Sequence, residues 1–248
     1  MQGRRSLEEC ANGEGIEFVR EEPYNENGET GSYQLKIYHY ASRIPGVFRW
    51  AIPKSLTDFH EEAWTSFPHD LRRYHIPGLG ERFALDIDTY FYPYTTPEEI
   101  APNPCHLNDE ELQKREIMYI DILNQPPLPT RDDWKLHGYE NPDAGILKLP
   151  ENRDAFDPKN PPAWTRSYTG PLVCISRCIK AKFDVWGVQT KAEEFLAIAG
   201  IPNVLLESAR GMIGWSNEWS PMSFEESLSY AAEINQRVND MIKNPKKK

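Results

Sequence analysis

The sequence lacks a hydrophobic run long enough to cross a membrane. Its most apolar segment, FLAIAGIPNVLL, is interrupted by Gly200, Pro202 and Asn203, whereas a membrane-spanning helix needs about 20 consecutive apolar residues. The N-terminal segment MQGRRSLEECANGEG also has no apolar core of the kind found in secretory signals. These absences predict a cytoplasmic protein without a transmembrane helix.

Positive charge and cysteine are also scarce. The 28 lysines and arginines are outnumbered by 38 aspartates and glutamates, which gives a formal net charge of −10. Because nucleic-acid binding requires a basic face that displaces counterions from phosphates, this composition argues against a nucleic-acid partner. Cys174 and Cys178 lie about 13 Å apart along a predicted strand, too far for a disulfide or a shared metal. We expect reduced thiols and no metal site.

Recognisable catalytic motifs are missing as well. The HEEAW segment at His60 lacks the second histidine of a zinc-protease helix, and the GLG segment at residues 78–80 neither follows a clear strand nor opens a helix. The sequence has no G-x-S-x-G motif and no P-loop. Asp86 and Asp88 share the outward face of a predicted strand, where carboxylates are normally solvated. We therefore predict no catalytic residues, no cofactor and no enzymatic activity.

What the sequence does contain is a set of alternating apolar and polar segments. IEFVREEPY and SYQLKIYHY, joined by NENGETG, are typical of a β-hairpin. Further strands are predicted at residues 47–53, 81–94, 116–123 and 171–186. In the segment 81–94, the hydroxyl-bearing Thr89 falls on the same face as Phe83, Leu85, Ile87 and Phe91.

Helical signals occupy the rest of the chain. Helices are predicted at residues 55–67, after a capping box formed by Asn108 and Glu111, at about 188–199, at 202–215 and at 223–243. The last helix has an apolar stripe that is expected to be buried. Together these elements predict a single α+β domain over residues 1–248, with an antiparallel sheet against helices. The stripe consists of Phe224, Leu228, Ala231, Ile234, Val238 and Met241.

Two residues break the pattern of the segment 171–186. Arg177 lies between Ile175 and Ile179, on the face that alternation predicts to be dry. An unpaired charge in an apolar setting costs several kcal/mol, so Arg177 must meet a carboxylate or an anionic ligand, and the sequence leaves both open. Trp186 falls on the opposite, solvent-facing side, directly before Gly187.

Three long segments resemble the phosphatidylinositol transfer protein family, in order and with similar spacing: EEPYNENGETGSYQLKIYHYASRIPGVFRWAIP, HEEAWTSFPHDLRR and KAKFDVWGVQTKAEEF. The resemblance runs from about Gly13 to Pro245 and is interrupted in the proline-rich residues 125–171. It implies a helix-grip fold, in which a curved antiparallel sheet encloses a lipid cavity closed by a long C-terminal helix. It also implies a monomeric cytoplasmic carrier that binds a glycerophospholipid and contacts membranes peripherally and transiently.

The resemblance also implies roles for individual residues. The phosphate-binding positions of the family correspond to Thr89, Arg177 and Arg72, with Arg177 in place of the usual lysine. The headgroup-binding positions correspond to Lys36, Gln34, Tyr38 and Thr65, and Glu233 lies near the position of the family's glutamate in the last helix. The membrane-docking pair of tryptophans corresponds to Val185 and Trp186.

Several of these positions depart from the family pattern, so the cargo and the function have alternatives. Phosphatidylinositol and phosphatidylcholine are the expected cargoes, and phosphatidic acid is a further possibility. A second hypothesis is a non-transferring phospholipid sensor or adaptor with altered headgroup specificity. A third is an enzyme that uses the cavity, which needs an acid/base pair that the sequence does not display.

Overall fold

The sheet follows the order of the sequence. The computed structural model describes residues 7, 14–26, 28–39, 57–94, 103–122, 172–187, 189–196, 200–214 and 216–244. In these residues the sheet has six strands, in the order β1 to β6, and β1 to β5 pair antiparallel with their neighbours. The strands are β1 (Gly15–Glu26), β2 (Glu29–His39), β3 (Asp58–Ser66), β4 (His69–His75), β5 (Phe83–Pro93) and β6 (Val173–Phe183).

The helices in the described residues lie mostly where the sequence predicts them, although the ends shift by a few residues. None of them is long and apolar enough to span a membrane. With the antiparallel sheet they confirm the α+β class. The strand predicted at residues 47–53 lies outside the described residues. The helices are α1 (Asp109–Lys114), α2 (Gln189–Phe195), α3 (Ile201–Gly214), α4 (Ser216–Trp219) and α5 (Phe224–Lys243).

The chain divides into two compact units. The first consists of Met1–Tyr90, Arg177–Ala197 and Phe224–Lys248, and the second of Phe91–Ser176 and Ile198–Ser223. The first unit therefore holds β1 to β4, most of β5 and β6, and the helices α2 and α5. It also holds all of the predicted functional residues.

β1 and β2 form the predicted hairpin. Their pairing ends at Glu26 opposite Glu29, and the register shifts between Phe18 and Arg20. Gly28 in the turn has φ +85°, a left-handed conformation that costs glycine little because it has no Cβ.

The helix predicted at residues 55–67 is wrong, because this segment contains β3. Phe59 and Ala63 fit a helical stripe, but residues four apart also share a face of a strand, so the pattern suits both structures. Glu61 lies between them and is fully buried, with Lys36 of β2 directly opposite. Pairing with β2 and β4 decided the structure of this segment.

A hydrophobic cluster joins the start of β5 to the end of β6. Phe83 packs edge-on against Phe59 and Phe183, with ring centroids 5.6 and 5.9 Å apart. Phe183 thus faces inward, as alternation predicts. Ala192 of α2 belongs to the same cluster, so α2 is anchored there. The buried members are Ile76, Leu79, Phe83, Phe183 and Ala192.

The long helix α5 is buried in its second half. Ile234 and Val238 are buried, with Phe18 of β1 packed against them. Phe224 and Leu228, in the first half of the helix, are exposed. The predicted buried stripe is therefore correct for the C-terminal half and wrong for the N-terminal half.

Asn239 ties α5 to the edge of the sheet. Its Oδ1 accepts a hydrogen bond from the backbone N–H of Phe18 at 2.8 Å, and its Nδ2 donates to the Phe18 carbonyl at 2.7 Å. β1 is the first strand of the sheet, and no other described strand pairs with its outer edge. The amide of Asn239 therefore satisfies backbone groups that a neighbouring strand would otherwise bind.

The second unit contains α1, α3 and α4. The predicted capping box is confirmed: Asn108 and Glu111 each accept a hydrogen bond from the other's backbone N–H at 3.0 Å. The strand predicted at 116–123 is wrong, because residues 115–121 have no regular secondary structure. Instead, the buried Arg210 of α3 donates from Nε to the carbonyl of Ile122 at 2.8 Å, so a side chain binds this backbone group.

Candidate functional site

Alternate residues of β2, β3 and β4 bring charged side chains together on one face of the sheet. In antiparallel pairs, residues directly opposite each other point to the same face. Lys36 lies opposite Glu61, and Thr65 lies opposite Asp70. We call the four residues Lys36, Glu61, Asp70 and Arg72 the charged cluster.

Glu61 is the most buried carboxylate of the charged cluster. Its Oε1 accepts hydrogen bonds from Lys36 Nζ at 3.1 Å and from Arg72 Nη1 at 3.0 Å, and its Oε2 accepts from the Tyr38 hydroxyl. Burial by itself disfavours ionisation, but the charges of Lys36 and Arg72 and the hydrogen bond from Tyr38 outweigh it and lower the pKa of Glu61. Glu61 is therefore a carboxylate at neutral pH.

Asp70 binds the other side of Arg72. Its Oδ2 accepts from Arg72 Nε at 2.7 Å, and its Oδ1 accepts from Arg72 Nη2 at 3.1 Å. The Thr65 hydroxyl donates to the same Oδ1 at 2.7 Å. Burial opposes the charge of Asp70, but Arg72 and Thr65 outweigh it and lower the pKa of the carboxyl. This is a bidentate arginine–carboxylate pair, a geometry that fixes the guanidinium in position.

Two tyrosines border the charged cluster as neutral groups. Burial, followed by the charge of Glu61, raises the pKa of both Tyr38 and Tyr74. Their hydroxyls therefore stay protonated at neutral pH and can donate hydrogen bonds. The cluster thus combines charged and hydroxyl groups that are held by one another.

The structure gathers most of the residues predicted to bind a headgroup. Lys36, Tyr38 and Thr65 all bond directly to a carboxylate of the charged cluster. Gln34 shares their face but donates from its amide to Glu21 of β1 at 3.0 Å. Glu233 is not part of this group, because its side chain is 69% exposed on α5 and pairs with Arg237 at 3.9 Å.

The three predicted phosphate-binding residues lie on neighbouring parts of the first unit. Arg72 belongs to the charged cluster, and Thr89 is buried opposite Asp70. Arg177 lies within electrostatic range of Arg72 and Asp70. In the described part of the chain Arg177 makes no ion pair, unlike Arg72 and Lys36.

The face of β6 that carries Arg177 is open, which corrects the prediction that it is dry. Ile175, Arg177 and Ile179 are all exposed, and this strand face is buried at Phe183. Even so, the pKa of Arg177 is lowered, first by its reduced hydration among protein atoms and then by the charge of Arg72. The residue as a whole is therefore exposed, but its guanidinium is incompletely hydrated.

The two predicted membrane-docking residues have different environments. Trp186 is 92% exposed in the turn after β6, whereas Val185 packs against the hydrophobic cluster around Phe83. The next residue, Gly187, has φ 84°, a conformation that permits the turn. A single tryptophan, not a pair, is thus presented to solvent here.

Sequence reasoning missed three residues of this site: Glu61, Asp70 and Tyr74. Glu61 was missed because its segment was predicted to be helical. The signal that could have found Glu61 is the strand period, which aligns it with Phe59 and Ala63. No described group of histidine, cysteine, aspartate and glutamate residues is arranged to hold a metal ion.

Comparison with known proteins gives the same family that the sequence resembles. Residues 1–236 match the family model described as "Phosphatidylinositol transfer protein". The chain is 31% identical over 231 residues to Membrane-associated phosphatidylinositol transfer protein 1 of Homo sapiens, which covers 91% of this chain and 17% of that protein. It is 30% identical over 236 residues to Phosphatidylinositol transfer protein 5 of Dictyostelium discoideum, which covers 94% of this chain and 76% of that protein. The chain therefore spans a small part of the human relative and most of the Dictyostelium one.

Proposed function

Because the chain belongs to the phosphatidylinositol transfer protein family, we propose that it binds a single glycerophospholipid and carries it between membranes. Phosphatidylinositol and phosphatidylcholine are the proposed cargoes. No covalent step is part of the proposal. The single domain over residues 1–248, the monomeric state and the peripheral cytoplasmic location stay predictions.

Arg177 is the observation that carries this proposal. It is a cation on an accessible strand face that also presents Ile175 and Ile179. Its lowered pKa reflects incomplete hydration and the repulsion of Arg72. A side chain that is accessible and yet poorly hydrated is expected in the lining of a hollow. A lipid phosphate held there supplies the counter-charge, and the lipid chains supply the apolar contacts.

The other site residues complete this arrangement. We assign the phosphate to Arg177, Thr89 and the remaining donors of Arg72, because charge-assisted hydrogen bonds are the strongest available to a phosphate. The rest of the headgroup is assigned to Lys36, Tyr38, Thr65 and Gln34. Glu233 is omitted, because its carboxylate is exposed and pairs with Arg237.

The acyl chains need apolar walls. Each buried CH₂ is worth about 0.8 kcal/mol, so two acyl chains do not leave a bilayer for water at any useful rate. A carrier has to replace the bilayer interior with apolar protein surface. The exposed Phe224 and Leu228 of α5 and Ile179 of β6, all in the first unit, are available for this. We therefore propose a helix-grip cavity between the sheet and α5.

Trp186 is the proposed contact with the membrane. Burying about 200 Å² of tryptophan at about 25 cal/mol/Å² contributes at most about 5 kcal/mol, before orientation costs are subtracted. A single aromatic contact of this size is short-lived. Brief contact suits a carrier, which must leave one membrane to reach another.

Native mass spectrometry of the purified protein, combined with lipid transfer between donor and acceptor vesicles, tests the proposal. We expect one phospholipid per chain and transfer of labelled phosphatidylinositol or phosphatidylcholine. Bound lipid that never exchanges would instead indicate the phospholipid sensor or adaptor. Absence of both bound lipid and transfer, for every phospholipid class, would overturn the proposed function.

A further inference from the structure

The guanidinium of Arg72 is already occupied by carboxylates. Three of its N–H groups donate to Asp70 and Glu61, at 2.7, 3.1 and 3.0 Å. The two bonds to Asp70 use Nε and Nη2, which form the edge that an arginine normally offers to a phosphate in bidentate fashion. Asp70 therefore stands where a phosphate would otherwise bind Arg72. The Arg72 side chain is still 28% exposed, so its remaining N–H groups are within reach.

The charges of this site can be counted by pairs. Lys36 pairs with Glu61, and Arg72 pairs with Asp70 and Glu61, so two cations offset two carboxylates. Arg177 lies close enough to feel the charges of Arg72 and Asp70 but forms no ion pair in the described residues. Counted over the described residues, the charged cluster together with Arg177 therefore has one more positive than negative charge, and Arg177 provides it.

A single positive charge matches a single negative charge. The phosphodiester of phosphatidylinositol or phosphatidylcholine carries one negative charge, whereas a phosphomonoester carries about 1.5 to 2 at neutral pH. A second negative charge held at this site would face Asp70 and Glu61 without a cation of its own, which is unfavourable in a poorly hydrated setting.

From this geometry we propose that Asp70 is a positioning residue that sets the charge selectivity of the headgroup site. By holding Arg72 in a bidentate pair, Asp70 leaves Arg177 to bind the phosphate and favours phosphodiester lipids over phosphatidic acid. This inference rests on the proposed function, because it concerns the same site. Glu61 cannot serve in the same way, since it also holds Lys36 and Tyr38 and is fully buried.

Competitive loading from vesicles tests the proposal. The protein is incubated with vesicles that contain equal amounts of phosphatidylinositol, phosphatidylcholine and phosphatidic acid, and the bound lipids are quantified by mass spectrometry. The wild type is expected to take up both phosphodiester lipids in preference to phosphatidic acid. In Asp70→Asn, the ratio of phosphatidic acid to phosphatidylinositol should rise by about tenfold or more, the scale on which one nearby charge shifts an ionisation equilibrium.

Two further variants separate selectivity from structure. Asp70→Glu keeps the charge and should return the ratio toward that of the wild type. Asp86→Asn removes the same charge from a neighbouring strand, where Asp86 is 43% exposed and lies 3.9 Å from Arg73. It should leave the ratio unchanged, because Arg73 and Asp86 lie on the opposite face of the sheet from the charged cluster.

The outcomes distinguish this inference from the proposed function. A folded Asp70→Asn protein with the wild-type ratio overturns the role of Asp70, even when the wild type binds phospholipid. A wild type that binds phosphatidic acid as well as phosphatidylinositol also overturns it. If Asp70→Asn does not fold, this measurement on the wild type is the test. A wild type that takes up no phospholipid overturns the proposed function as well.

Discussion

Glu61 illustrates how one buried charge is tolerated by its neighbours. Three donors surround its carboxylate, and two of them are cations. The charge is stable in the interior because of these bonds, and the cations Lys36 and Arg72 are in turn stabilised by it. Removing one member of such a group leaves the other charges without a partner. The free energy of unfolding then falls by more than the intact group contributes to it.

We expect the charged cluster to make the protein sensitive to acid. The pKa values of Glu61 and Asp70 are lowered on folding, so their stabilisation is present above the ordinary carboxyl pKa of about 4 and is lost as the pH falls through the lower folded-state values. Glu61→Gln should reduce the free energy of unfolding at pH 7 by about 3–5 kcal/mol and flatten its dependence on pH below about 5. Urea unfolding at several pH values measures both.

Glu22→Gln is the control for this prediction, because Glu22 is 43% exposed and bonds to Arg20 on the surface. It should change the stability little, because solvent screens an ion pair on the surface. A Glu61→Gln protein as stable as the wild type at pH 7 contradicts the role given to Glu61.

Replacing Arg177 should weaken lipid binding without reducing the stability of the protein, because its charge has no ion-pair partner among the described residues. Arg177→Gln is expected to weaken phospholipid binding by about tenfold or more, the loss of a charge-assisted hydrogen bond worth about 1.5–3 kcal/mol. The melting temperature of the lipid-free protein should not fall. Arg177→Lys should retain much of the binding, and Arg73→Gln on the other face should retain all of it. Full binding by Arg177→Gln would count against the phosphate site.

At the scale of elements, α5 and β1 are joined by apolar packing and by one amide. Ile234 and Val238 provide the packing, and Asn239 binds both backbone groups of Phe18. These contacts lie in the second half of the helix. The first half presents Phe224 and Leu228 without burying them.

Asn239→Ala is expected to loosen this junction. It removes two hydrogen bonds and leaves partly buried backbone groups unsatisfied, which costs about 1–3 kcal/mol in total. Hydrogen exchange at the Phe18 amide should accelerate, and the free energy of unfolding should fall by that amount. Asn244→Ala, near the exposed end of the helix, is the matched control. Unchanged exchange at Phe18 would show that packing alone holds the helix.

β3 shows why the sequence could predict some elements and not others. The hairpin β1–β2, β5 and the helix α5 have patterns that fit one period, and all three are confirmed. The pattern of β3 fits both the helical period and the strand period, and the helix predicted from it is wrong. Its identity as a strand depends on Lys36 lying opposite Glu61, a long-range contact that periodicity does not report.

At the scale of the whole molecule, the proposed function requires a site for the lipid and a separate contact for the membrane. Trp186 can be changed without touching the charged cluster, so the two parts can be tested independently. Trp186→Ala should reduce vesicle association in flotation and slow lipid transfer, while bound lipid and melting temperature stay as in the wild type. The loss of binding energy is at most about 5 kcal/mol.

Phe67→Ala is the matched control for the membrane contact. Phe67 is another aromatic residue with a largely exposed side chain, at 81%, and it lies in the turn between β3 and β4. It should leave vesicle association and transfer unchanged. Equal losses in both variants would indicate general hydrophobic adhesion, not a specific contact through Trp186.

The sequence by itself determined the α+β class and the inward position of Thr89, because alternation along a strand is a local property. It also predicted the solvent-facing position of Trp186, which lies in the turn after β6. It also carried the resemblance that identifies the family. The tertiary structure decided which groups meet across strands: it placed Glu61 against Lys36 and Arg72, and it left Arg177 exposed. The charge balance of the site depends on distances between charges on different strands. These distances are set when the sheet forms.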